Sequence, residues 1–332
     1  MSIVYGSDPE GFFKQDGRIV GSERFIPEKG LGFGPILVRD GIQFELNPGS
    51  SSSVRGLGFQ MKLAFEELAK ILWNNPGVSL CWDGLTEVDR SELDALSEKS
   101  RILGCQPSDN VYGTRPITVN VKEYRKRSAG GHGHFDLTNT NIFDGKGWDE
   151  RYRLIPLFDI FVGNTMVLLD RDPGAAERRE NYGRAGEYRK PKYGVEYRTL
   201  SNFWLRNYSL MSLFFGMSNF AVAVLSETIA GLQDLEQELI DKVKINRFID
   251  AINKNDWNQA MDNFETVVRP FLLKYLPTSG SLFPLNKGNI DKFVVFAKAV
   301  KVNGLNTYFP TDPLSHWTTG TFVEFGDFLR TI

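Results

Sequence analysis

Between Arg206 and Glu227 the chain reads NYSLMSLFFGMSNFAVAVLS, without a single charged residue. A stretch of that length and apolarity must be hidden from water, in a bilayer or in a protein interior. Its several Ser and Asn residues, and the lack of a second such stretch, favour a buried helix of a soluble protein over a membrane span. The chain can build an interior to match: of 332 residues, 41% are hydrophobic and 13% aromatic, enough for a sizeable core. No membrane partner is expected.

Around this helix the periodicity of the chain divides in two. In DGIQFELNPG, Ile42, Phe44 and Leu46 alternate with Gln43, Glu45 and Asn47, the pattern of a strand with one buried and one polar face. Pro48 ends it. From Gly58 the period lengthens, with Met61, Ala64, Phe65, Leu68 and Leu72 on one side of an amphipathic helix. VSLCW, RILGC and SAGGHGHFDL read as further short strands, and a helix is expected from about Trp148 to Leu169. Asp170 to Lys192 reads as a charged loop with five arginines, leading into a strand at Tyr193 to Leu200. After Ser201 the pattern is mostly helical. The expected fold is α+β: a catalytic part over 1–200, its sheet packed by helices on one face, and a helical part over 201–332 packed on it as one continuous domain.

Charge and cysteine content narrow the functions. The formal net charge is −2, so nothing draws the whole chain toward nucleic acid, and the basic run KEYRKR at Lys122 to Arg127 reads as a solvated segment. Cys81 and Cys105 have no Cys-x-x-Cys spacing, which argues against a disulfide scaffold or a structural zinc site. The N-terminus lacks an export signal, and a cytoplasmic protein is expected.

Function should therefore sit in a site, and four polar pairs at i, i+2 spacing suggest where. They are Asp8 with Glu10, Glu45 with Asn47, His132 with His134, and Glu196 with Arg198. On strands each pair shares a face. If the four strands share a sheet packed by helices on its other side, carboxylates, imidazoles and a guanidinium converge on one surface. Several carboxylates with one or two histidines suit an oxygen-preferring divalent ion such as Mg²⁺ or Mn²⁺. Arginines in the same place suit a phosphorylated ligand. No G-x-x-x-x-G-K-[ST] is present, and GLGFGP at Gly30 to Pro35 is only loosely glycine-rich, so a nucleotide would be held by the sheet. Gly130 and Gly131, ahead of the two histidines, read as room for a ligand to approach the backbone.

The segments GSDPE, DGIQFELNP, GC with the following PSDNVY, RSAGGHGHFDL and NYGRAGEYRKPKYGVEYRTLSNFWL together resemble the phage-type COOH-NH2 ligases, a branch of the glutamine synthetase-like and glutamate-cysteine ligase-like amidoligases. The similar blocks span about residues 6 to 205. The resemblance implies a curved antiparallel sheet of glutamine synthetase-like type, with helices on one face, and ATP-dependent joining of a carboxylate to an amine through an acyl phosphate. It also implies roles: Asp8, Glu10, Glu45, His132 and Glu196 on metal, His134 facing the nucleotide, Arg198 on phosphate, and Arg184 and Arg189 closing over the γ-phosphate. H-G-H-F-D departs from the pattern at Phe135 and Asp136, where a small or apolar residue and a glycine are expected. ATP and Mg²⁺ or Mn²⁺ are the implied cofactors, and a small-molecule or peptide carboxylate and an amine acceptor the implied partners. The compartment implied is the cytoplasm of a phage-infected bacterium, and a homo-oligomer is left open. Two alternatives stand beside it: a guanidino-type phosphotransferase, and a binding or virion-associated protein without turnover. His316 reads as a packing residue.

Overall fold

The structure is a computed structural model that describes residues 3–101, 108–113, 124–144, 149–232, 234–276 and 283–332. Its described strands are β1 (Val4–Ser7), β2 (Glu10–Gln15), β3 (Arg18–Val20), β4 (Leu37–Asp40), β5 (Gln43–Leu46), β6 (Val78–Cys81), β7 (Leu85–Glu87), β8 (Asp109–Asn110), β9 (Lys126–Ser128), β10 (Gly133–Asp136), β11 (Glu187–Arg189) and β12 (Gly194–Tyr197). All their pairings are antiparallel. One sheet runs β1-β10-β12-β11-β8; a second runs β3-β2-β5-β4, with β6 also on β2; β7 and β9 form a ribbon. The fold is α+β with antiparallel sheets, as expected. The four polar pairs are nevertheless spread over two sheets rather than one. The chain passes from β1 to β2 at Asp8-Pro9, because proline cannot donate the ladder hydrogen bond there.

Local chemistry sets the registers that matter. Asp40 opposes Gln43 across β4 and β5, which leaves a two-residue turn led by Gly41 at φ 60°, a conformation cheap only for glycine. The turn fixes Glu45 opposite Val38, and the other edge of β5 sets Glu45 opposite Glu10. The helix Val54–Asn74 begins at Ser53, whose hydroxyl accepts from Gly56 N at 3.0 Å. It buries Leu57, Met61, Ala64, Phe65, Leu68 and Ile71, with Phe65 and Phe44 both against Trp82.

The uncharged stretch forms the helix Tyr208–Ile229, capped by Asn207. It is long and apolar enough to cross a membrane, and 89% of its most apolar window is buried inside the protein. Phe214 and Phe215 pack on Phe135, and Phe215 also on Tyr5, so this helix covers the apolar face of the first sheet. Phe158, from the helix Arg151–Phe158, covers it beside Tyr197 and Phe135. That helix continues through a π turn at Asp159–Gly163 to Val167. One core cluster therefore takes in residues on both sides of Ser201.

Asp170 to Lys192 differs from the expected loop: it holds the helix Ala175–Asn181 and β11. Arg178 and Arg179 are nearly inaccessible. Arg178 donates to the carbonyls of Ala129, Thr199 and Leu200, and Arg179 to Asp170 and Asn255. Guanidinium groups spent on buried acceptors order this segment. Ile102 to Cys105 of the expected RILGC strand, Trp148, and Lys122 of the basic run lie outside the described residues.

Candidate functional site

The first sheet presents its polar face as rows. Gly6 opposes His134, His134 opposes Glu196, and Glu196 opposes Arg189 across four adjacent strands. The alternate residues Tyr5, Phe135, Val195 and Tyr197 are buried in the core, so the period-2 pattern forces the polar set outward. Asp8, at the break between sheets, bends back over the histidines. His132 Nδ1 lies 3.1 Å and His134 Nε2 3.2 Å from Asp8 Oδ1, the second contact at ion-pair distance without hydrogen-bond geometry. Arg198 donates to Glu196, and Arg189 Nη1 stands 3.7 Å from Glu196 Oε2.

Two groups of donor atoms result, each drawn together within 4.8 Å: Asp8, His134 and Glu196; and Glu10, Asp40 and Glu45. In the second, Glu10 Oε2 accepts from Gly130 N at 2.7 Å and Gln43 Nε2 at 3.0 Å. Burial and the neighbouring Asp40 still push the Glu10 carboxyl up to about 8. Burial, with Asp8, Asp40, Glu10 and Glu196 nearby, pushes Glu45 up to about 10. The first group is balanced differently. Burial opposes ionisation of Asp8, yet attraction from His134 and His132 outweighs it and holds the carboxyl below the usual range. His134 is raised because Asp8 and Glu196 overcome its burial, while burial and Arg198 lower His132. Carboxylates crowded as Glu10, Asp40 and Glu45 are, and carboxylates beside an imidazole as Asp8 and Glu196 are, have the chemistry of a hard divalent-cation site.

Of the residues singled out in the sequence, Asp8, Glu10, Glu45, His132, His134, Glu196, Arg198 and Arg189 come together. Arg184 is directed elsewhere: it donates to the carbonyls of Arg179 and Glu180 at the end of the helix Ala175–Asn181, a usual role for a cation at a helix C-terminus. The glycine pair also differs from expectation. A Cβ on Gly130 would stand 2.3 Å from His132 Nε2, and one on Gly131 2.3 Å from the Ser201 carbonyl. Protein groups, not open space, fill the positions the glycines vacate.

Four residues were missed: Asp40, Gln43, Tyr182 and Tyr193. Gln43 shares the polar face of IQFELN with Glu45, so the alternation already placed it. Tyr182 comes from the end of a helix read as loop. Its hydroxyl accepts from Arg198 Nη2 at 2.9 Å and lies 2.8 Å from His132 Nε2. Tyr193 Oη is 2.7 Å from His134 Nδ1. Beside these groups a cleft of about 410 Å³ is lined by Asp8, Glu45, Asn47, Ser50, His134 and Tyr193, among others.

The remaining polar candidates are structural. Nε2 of His316 accepts from Tyr208 N at 2.9 Å, which satisfies the start of the long apolar helix. Burial pushes the Cys81 thiol up to about 11. Arg125 pairs with Glu87 and Lys126 with Glu177, and Arg127 is buried on backbone carbonyls.

Fold and site together define an α+β protein whose antiparallel sheets carry carboxylates, imidazoles and guanidinium groups on one side of a helix-packed core. Residues 118–260 match the family described as Phage phiEco32-like COOH.NH2 ligase-type 2, which bears out the family-level resemblance; the name of that family is that of a carboxylate-amine ligase. No curated protein and no solved structure matches the chain. The matched segment contains His132, His134, Arg189, Glu196 and Arg198; Asp8, Glu10, Asp40 and Glu45 lie before it and reach the same site through the fold.

Proposed function

We propose that the protein is an ATP- and Mg²⁺-dependent ligase that joins a carboxylate to an amine through an acyl phosphate. The observation that carries this reading is the pair of three-donor groups, Asp8/His134/Glu196 and Glu10/Asp40/Glu45, flanked by Arg198 and Arg189 and partly contained in the matched segment. Divalent ions bound there would neutralise the polyphosphate and polarise its terminal phosphoryl group. Arg198 and Arg189, freed in part from Glu196, would hold the transferred phosphoryl oxygens in guanidinium geometry. The cleft bordered by Asn47, Ser50 and Tyr193 would admit the carboxylate to be activated. In such chemistry the protein supplies position and charge stabilisation, and no covalent nucleophile is needed. We place this activity in the cytoplasm of the infected host.

Release of inorganic phosphate from ATP tests the proposal. The expected result is phosphate release that requires Mg²⁺, an acid and an amine together, followed across panels of amino acids, peptides and polyamines. Transfer of phosphate to an amine or guanidine without ligation would assign a phosphotransferase instead.

A further inference from the structure

The two histidines at the site are alike at first sight, since each has one ring nitrogen beside a tyrosine hydroxyl. Their remaining contacts separate them. His134 has Tyr193 Oη at 2.7 Å from Nδ1, while its Nε2 lies 3.2 Å from Asp8 Oδ1 without hydrogen-bond geometry, and the residue belongs to the donor group with Asp8 and Glu196. This is how a metal-ligating imidazole is usually held: one ring nitrogen rests against a supporting oxygen and the other is turned toward the site. His132 has both nitrogens engaged. Its Nδ1 is 3.1 Å from Asp8 Oδ1 and its Nε2 is 2.8 Å from Tyr182 Oη.

Donor and acceptor roles around His132 follow from its neighbours. Arg198 has no acceptor, so the Tyr182 oxygen accepts from it. The phenolic proton is then available for His132 Nε2. With Nε2 accepting from Tyr182, the hydrogen of the neutral imidazole sits on Nδ1, 3.1 Å from Asp8 Oδ1. The order Arg198 → Tyr182 → His132 → Asp8 is therefore a single directed line of hydrogen bonds. Its parts are held firmly: His132 is fully buried, and the Tyr182 ring lies 4.9 Å from the Arg178 guanidinium.

Resting on the cation-site reading above, we infer that His132 is not a metal ligand but, with Tyr182, a positioning relay that links the phosphate-facing Arg198 to the metal-facing Asp8, and that His134 is the imidazole that takes the cation. A phosphoryl group drawing on Arg198 thereby alters the support of Asp8 through Tyr182 and His132. Binding of cation and of phosphate are coupled in both directions by linkage.

The chain has three histidines, so ¹⁵N-histidine NMR of the full-length protein can be assigned with His316→Gln and His134→Gln. Without cation, His132 should show the Nδ1–H tautomer and a hydrogen-bonded Nε2 whose shift changes in Tyr182→Phe. With Mn²⁺ alone as probe, electron spin-echo spectroscopy should show one coordinated imidazole nitrogen, lost in His134→Gln. In Tyr182→Phe that nitrogen should persist while Mn²⁺ affinity falls about 10- to 100-fold, as expected when an outer-shell partner is removed. An Nε2–H tautomer at His132 would overturn the inference, and so would a coordinated nitrogen that survives His134→Gln. Failure of Mn²⁺ to bind at all would sink the ligase proposal, while the cation-free spectrum would still decide the relay.

Discussion

The two acid groups of the site stand side by side yet are balanced in opposite ways. Around Asp8 and Glu196 the sheet supplies His132, His134, Arg189 and Arg198, and Asp8 is held ionised. Around Glu10, Asp40 and Glu45 the repulsion and burial push Glu10 up to about 8 and Glu45 up to about 10. One group is balanced in part by imidazole and guanidinium groups of the protein; in the other, crowded carboxyls keep their protons. On the proposed reading both groups take a divalent ion, and the less balanced one gains more from it.

The largest expected effect is on stability against pH. Glu10 and Glu45 ionise near 4.5 when unfolded and at about 8 and about 10 in the fold. Their contribution is therefore full below about pH 4.5 and is lost as pH rises through the folded values. Asp8 has the opposite sign, because its folded value is lowered: its contribution is present above the unfolded value and is lost on acidification. Melting followed from pH 5 to 9 should show a decline without cation that Mg²⁺ suppresses. An identical decline with Mg²⁺ would show that Glu10 and Glu45 take no cation.

Substitutions sharpen it. Glu45→Gln should raise the melting temperature of the cation-free protein at pH 8 while lowering Mn²⁺ affinity, whereas Asp8→Asn should lower both. Parallel behaviour of the two variants in thermal melts would show that the groups are not balanced differently. A smaller effect is expected from Gly130→Ala, whose Cβ would meet His132 Nε2 at 2.3 Å. Overpacking of this kind costs about 1–3 kcal/mol, and urea unfolding would measure it. The smallest effect separates two arginines. Arg189→Ala should weaken binding of an ATP analogue, while Arg184→Ala, which removes a cation from a helix end, should cost only about 0.3–1 kcal/mol of stability and leave that affinity nearly unchanged by titration.

Much of this site was legible in the sequence because strands alternate strictly. H-x-H and E-x-R each put both polar side chains on one face, and the ladder then set His134 opposite Glu196. The long uncharged stretch likewise announced the helix Tyr208–Ile229. What was not legible depends on chain reversal and burial. Pro9 was visible, but not that it parts two sheets. Asp40 joins the site only through the turn at Gly41. The glycines before His132 looked like room for a ligand, and only the packed fold shows them occupied by an imidazole and a carbonyl. Arg178 and Arg179 fell in a segment that reads as a charged loop, because nothing local reveals the carbonyls and acids that bury them. Tyr182 carried no spacing signal, since its partners Arg198 and His132 lie just after β12 and just before β10.

If the two acid groups hold a divalent cation for a nucleotide, as proposed, nucleotide binding must depend on the metal. Calorimetric titration of the wild-type protein and of Glu196→Ala with a non-hydrolysable ATP analogue, with and without Mg²⁺, measures that dependence. Binding that requires Mg²⁺ and is abolished in Glu196→Ala is expected; no binding to folded wild-type protein, or equal binding without Mg²⁺, would overturn the proposal.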